Sequence, residues 1–98
     1  MSRQATPRGS IEAVAYRIVL KAAAAKALER LPHDVTARLE RCIDALASDP
    51  RPPGVVKMQG DDNLWRVRVG PYRIMYEIHD QRLLVLVLKI GHRKDIYR

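Results

Sequence analysis

Phenylalanine is absent from the 98-residue chain, and aromatic side chains are limited to one tryptophan and four tyrosines. With 47% hydrophobic residues the chain can still build a core, and that core must be mainly aliphatic. A single cysteine, Cys42, excludes an internal disulfide, and no Cys/His spacing suits zinc. The lone thiol fits a reducing cytoplasm. No stretch approaches the roughly 18–20 apolar residues that a membrane helix requires, and the first residues, MSRQATPRGSIEAVA, lack the apolar run of a signal peptide. Also missing are a glycine-rich phosphate loop, an H-E-x-x-H metal motif, a paired-carboxylate pattern and any placeable Ser/His/Asp set. Asp61-Asp62 falls in a turn and reads as solvated. No metal or other cofactor is expected.

What the chain has in excess is positive charge, +7 formally. Its distribution is uneven. Residues 1–64 carry ten basic and eight acidic side chains, whereas residues 65–98 carry eight basic and three acidic. The surplus lies in the last third and implies one electropositive face. Nucleic acid is the commonest partner of such a face, with an acidic protein second.

The chain reads as one small domain over residues 16–98, preceded by a flexible leader over residues 1–15. Tyr16 to Leu20 (YRIVL) is β-prone and forms a first strand. Lys21 to Leu31 is rich in alanine and other helix formers, with Leu28 and Leu31 as its apolar stripe. Pro32 suits the first turn of a second helix, from about Asp34 to Ala47. There Val35, Leu39, Cys42, Ile43 and Leu46 recur on one face, with Arg38, Glu40, Arg41 and Asp44 on the others. A short Pro-containing turn between helices implies an antiparallel helical hairpin. Three prolines and a glycine make Ser48 to Gly54 a loop.

Beyond that loop the period changes to two. Val55 to Met58 reads as a short edge strand, and Leu64–Val69, Tyr72–His79 and Arg82–Ile90 as a three-stranded meander. The run LLVLVLKI does not alternate, as in a strand covered on both faces. The fold class is therefore α+β.

Alternation also sorts the candidate chemistry. Arg66 and Arg68 point away from Trp65, Val67 and Val69; Arg73, Met75 and Glu77 point away from Tyr72, Ile74, Tyr76 and Ile78. With helices over the apolar face, three arginines converge on the open one. Taken singly, each could pair with Glu77 or solvent. Together they suit an anion, since guanidinium groups grip phosphate in bidentate fashion. Trp65 alternates with Val67 and reads as core rather than as a base-stacking platform. The tail, Gly91-His92-Arg93-Lys94-Asp95-Ile96-Tyr97-Arg98, should emerge beside the arginines with an imidazole, a guanidinium and a phenol for proton transfer.

The order of elements, together with the runs Trp65-Arg66-Val67-Arg68-Val69-Gly70, Tyr72-Arg73-Ile74-Met75-Tyr76-Glu77-Ile78 and Gly91-His92-Arg93-Lys94-Asp95-Ile96-Tyr97, resembles the RelE/ParE toxin superfamily over about residues 16–98. The resemblance implies a RelE-like fold, with an N-terminal strand and helical hairpin packed on a small, mostly antiparallel sheet. It implies one of two activities, which fold alone does not separate. RelE-like members cleave mRNA in the ribosomal A site without metal, and ParE-like members inhibit DNA gyrase. In the nuclease pattern two strand lysines match Arg66 and Arg68, the next strand's arginine matches Arg73, and the tail residues match Arg93 and Tyr97. Arginine in place of lysine keeps charge but is a poor proton donor; His92 offers a substitute. No carboxylate stands where some relatives carry a glutamate base, the loop here reading Pro53-Gly54-Val55. The resemblance thus implies a catalytic set of Arg66, Arg73, His92, Arg93 and Tyr97, with Lys57, Arg68 and Lys94 positioning RNA. It also implies a cognate antitoxin as partner.

Overall fold

The computed structural model describes residues 15–92. The leader expected over residues 1–15 lies, except for Ala15, outside the described residues. Strand β1 (Arg17–Leu20) leads into helix α1 (Ala22–Arg30), then α2 (His33–Ala45), β2 (Val56–Lys57), β3 (Leu64–Val69), β4 (Tyr72–His79) and β5 (Leu84–His92). The five strands form one sheet in the order β1-β5-β4-β3-β2. β1 pairs with β5 in parallel, and the other three pairings are antiparallel. The architecture is α+β, a helical hairpin on one face of a mixed sheet.

Helix periodicity produces the core. Ala24 and Leu28 of α1 and Leu39 and Ile43 of α2, followed by Leu46, are buried against Val67, Ile74, Tyr76, Ile78, Val85, Val87 and Ile90 of the sheet. Deleting one such leucine side chain costs about 2–5 kcal/mol, a large share of a small domain's stability. At the hairpin, Pro32 is the N-cap of α2 rather than part of its first turn. The Thr36 hydroxyl donates to the Leu28 carbonyl at 3.0 Å and so satisfies an acceptor at the end of α1. Tyr76, wholly buried, donates its hydroxyl to the Pro50 carbonyl at 2.7 Å and pins the proline loop to the sheet. Burial pushes its phenol pKa up.

β3 and β4 have the ends expected from the sequence; β5 does not. Asp80–Arg82 form a 3-10 turn, and Leu83 takes a left-handed conformation, φ 50°, before the strand begins. The strand then continues through Gly91 and His92, two residues past the end expected at Ile90. β5, expected to be covered on both faces, is covered on its second face only at its start. Away from the helices Leu84 is buried, Leu86 and Leu88 are half-buried, and Lys89 is exposed. Among the described residues no helix is long and apolar enough to cross a membrane.

Candidate active site

Directly opposed residues of an antiparallel pair project to the same side of a sheet. Arg66 lies opposite Met75, Arg68 opposite Arg73, and Arg73 in turn opposite Gly91 of β5. Trp65, Val67, Ile74, Tyr76 and Ile78 occupy the helix side. The three arginines therefore share the open face, as alternation required. They differ in exposure. Arg68 is exposed, Arg66 half-buried, and Arg73 only 7% exposed, the one buried charged residue among those described. The acidic residue of this face, Glu77, bonds to His79 at 2.8 Å.

The arginines border two adjoining concavities. One, about 330 Å³, is walled by Pro53, Gly54 and Val56 and floored by Arg66, Val67, Arg68 and Arg73. The other, about 370 Å³, is lined by Arg68, Gly70, Pro71, Arg73 and His92. Both are large enough for a small ligand. Arg68 and Arg73 belong to each, so an anion held between them is reached from both sides.

His92 sits less simply than expected. Its register partner is Tyr72, and the two rings meet edge to face with centroids 5.7 Å apart. That pairing puts the imidazole on the helix side of the sheet. It reaches the second concavity only because it stands at the sheet's end, beside the Gly70-Pro71 turn. Lys57 lies opposite Trp65, hence also on the helix side, with its Nζ 3.7 Å from Asp62 Oδ1. The structure does not bring it to the arginines. Arg93, Lys94 and Tyr97 lie outside the described residues.

Two further cations, Arg38 and Lys89, stand near the arginines without any local sequence pattern to mark them. Gly70 turns the β3–β4 hairpin at φ 60°, and a Cβ there would meet Arg38 Nη2 of α2 at 3.0 Å. The glycine thus admits a guanidinium from the helical layer beside the site. Lys89, near the end of an apolar run, lies opposite Met75 on the arginine face.

Trp65 belongs to the core side, as its alternation indicated. Arg51 covers its ring at 5.0 Å, and its indole Nε1 is buried without a hydrogen-bond partner among the described residues. Arg51 also joins a three-way clasp. It donates to Asp80 at 3.2 and 2.8 Å, and the Tyr16 hydroxyl donates to the same carboxylate at 2.6 Å. The Arg51 and Tyr16 hydrogen bonds hold the Asp80 pKa below its usual value, and the Asp80 contact raises that of Tyr16. The clasp ties the start of β1 and the proline loop to the β4–β5 turn, which fixes the wall of the first concavity. No group of three or more His, Cys, Asp or Glu side chains that could hold a metal occurs among the described residues. Cys42 is half-buried, and burial raises its thiol pKa.

The family model for the ParE toxin of type II toxin-antitoxin systems, parDE, matches residues 18–97. The chain belongs to the RelE/ParE toxin family. Two relatives from Mycobacterium tuberculosis, Toxin RelG and Toxin RelE, are 30% and 31% identical to this toxin over 84 residues; each alignment covers 85% of it, and 97% and 87% of theirs. The archaeal RelE-RelB complex from Pyrococcus horikoshii contains a chain with 29% identity and a TM-score of 0.74, covering 83% of the toxin and 98% of that chain. The isolated E. coli RelE toxin, at 23% identity, matches with a TM-score of 0.71 over 85% of the toxin and 92% of its own length, a likeness of fold. The toxin is thus a type II toxin–antitoxin toxin with a RelE-like fold.

Proposed function

We propose that this toxin is an endoribonuclease that cuts mRNA in the ribosomal A site without a metal. The observation that carries the reading is the gathering of Arg66, Arg68 and Arg73 on one open face beside a concavity. In the reaction the 2′-oxygen forms a bond to the adjacent phosphorus as the bond to the 5′-oxygen breaks, leaving a 2′,3′-cyclic phosphate and a 5′-hydroxyl. Arg66, Arg73 and Arg93 hold the phosphate and neutralise the charge that grows on its oxygens. Tyr97 or His92 takes the 2′-proton, and the other, or the ribosome, protonates the departing 5′-oxygen. Arg68 and Lys94 position RNA, whereas Lys57, on the opposite face, has only a peripheral part.

The relatives named RelE and RelG support this reading over its rival. The rival, a ParE-like inhibitor of DNA gyrase, draws on the family's own description. A cognate antitoxin is a further part of the proposal, since the solved relative from Pyrococcus horikoshii is a RelE-RelB complex. The basic face calls for acidic residues in the segment that masks it.

Single-turnover cleavage of ribosome-bound mRNA in excess EDTA tests the nuclease, beside a supercoiling assay with purified gyrase. Cut mRNA in EDTA and unaffected gyrase are expected. Intact mRNA together with blocked supercoiling would establish the rival, and cleavage abolished by the chelator would remove the metal-free mechanism.

A further inference from the structure

β5 breaks its own alternation once. From Leu84 to Val87 the strand pairs residue by residue with His79 to Tyr76. Leu84 and Leu86 accordingly project away from the helices, and Val85 and Val87 toward them. Continued without interruption, that parity would aim Lys89 into the core beside Ile74 and Tyr76. The register shifts instead between Met75 and Tyr76: Tyr76 pairs with Val87 and Met75 with Lys89, leaving Leu88 as an extra residue. One added residue inverts the face used by every later side chain. Ile90 is thereby buried, Lys89 is exposed, and Gly91 comes to lie opposite Arg73.

The result is a second row of groups beside the arginines. Across β3, β4 and β5 one row reads Arg68, Arg73, Gly91 and the next Arg66, Met75, Lys89. Lys89 is diagonal to Arg73, a spacing of about 7–8 Å in a regular sheet. Lys89 makes no ion pair among the described residues. Exposed on an interior strand and diagonal to Arg73, it extends the electropositive face from β3 and β4 onto β5. Between the charges the floor is low and neutral. Gly91 adds no side chain opposite Arg73, and Met75 offers a polarizable thioether of the kind that packs on aromatic rings. Charges flanking such a floor suit a nucleotide, with phosphate on the cations and its base or ribose over the sulfur. An acidic peptide would meet the charges but gain nothing from the floor.

We infer that the bulge at Leu88 sets Lys89 as a positioning residue that holds the RNA phosphate next to the scissile one, with Met75 and Gly91 as the floor beneath the nucleoside between them. The inference rests on the nuclease reading and names a part of its RNA path.

Lys89→Gln and Lys89→Arg, both at an exposed position, test it in the full chain. Two measurements are needed: binding of a short single-stranded RNA across a salt series, and single-turnover cleavage on mRNA-programmed ribosomes at varied concentration. Lys89→Gln is expected to raise the half-saturating concentration about tenfold, to leave the maximal rate within about twofold, and to reduce the salt slope of binding by about 0.7. Lys89→Arg should restore all three. A wild-type toxin that cleaves while Lys89→Gln matches it in half-saturation and slope overturns the inference and spares the nuclease. Weaker binding of Lys89→Gln to polyglutamate but not to RNA also overturns it, and assigns Lys89 to an acidic protein. A wild type that neither binds nor cleaves RNA removes the nuclease reading first.

Discussion

Arg68 and Arg73 stand directly opposite one another across the β3–β4 ladder, one exposed and the other almost wholly buried. Like charges so placed are unfavourable by a few tenths to about 1 kcal/mol. Arg68→Gln should therefore leave the toxin as stable as before or slightly more so, while weakening cleavage. Thermal melting beside the ribosome cleavage assay checks both halves. A melting point lowered by the substitution would mean that Arg68 supports the fold.

Arg73 is the more demanding case, because its burial links it to both structure and chemistry. Arg73→Ala should slow the chemical step by at least about 100-fold. Arg73→Lys keeps the charge but loses the two-pronged grip on phosphate, and it should remain folded by circular dichroism yet recover only part of the rate. A full-rate lysine variant would take bidentate binding out of the mechanism.

Tyr97→Phe removes only a hydroxyl and separates the two candidate bases. A rate lowered by about 100-fold is expected if the phenol takes the 2′-proton. His92→Gln should then cost less than Tyr97→Phe, because the imidazole also packs against Tyr72 and the ribosome can protonate the departing 5′-oxygen in its place. The reverse order of effects would transfer the role to His92.

The clasp of Tyr16, Arg51 and Asp80 gives stability a defined dependence on pH. Asp80 titrates below its ordinary value of 3.8 in the folded chain. Its contribution is therefore present above that value and is lost as pH falls through the depressed one. Tyr16 titrates above its ordinary 10.0, so its contribution is present below that value and is lost as pH rises through the elevated one. Because these groups are largely exposed, the effect should stay under about 1 kcal/mol. Melting curves of wild type and Asp80→Asn should differ near neutral pH and converge in strong acid. A constant gap across the acid range would exclude the carboxylate charge as its source.

Much of this was written in the local pattern. Period-two alternation in Trp65–Val69 and Tyr72–Ile78 put the arginines on one face, and the structure keeps that assignment residue for residue. Helical spacing likewise identified Leu39, Ile43 and Leu46 as core. Parity failed in β5, where the extra Leu88 changes sides in a run of eight with no polar residue before Lys89 to mark it. That one insertion hid the face of Lys89, whereas His92 differs because the strand runs two residues past its expected end at Ile90. The face of Lys57 was not legible for a different reason, since a two-residue strand has too short a pattern to reveal its register. Arg38 could not be found locally at all. Its approach to Gly70 exists only after α2 packs on the sheet.

The parallel ladder between β1 and β5 joins an early segment to a late one. Among the described residues β1 has no other neighbour in the sheet, so a nascent chain must hold this segment without its strand partner until β5 has been synthesised. Closure over so long a separation is slow and entropically costly, which delays completion of the sheet until translation has passed nearly every residue of the arginine face.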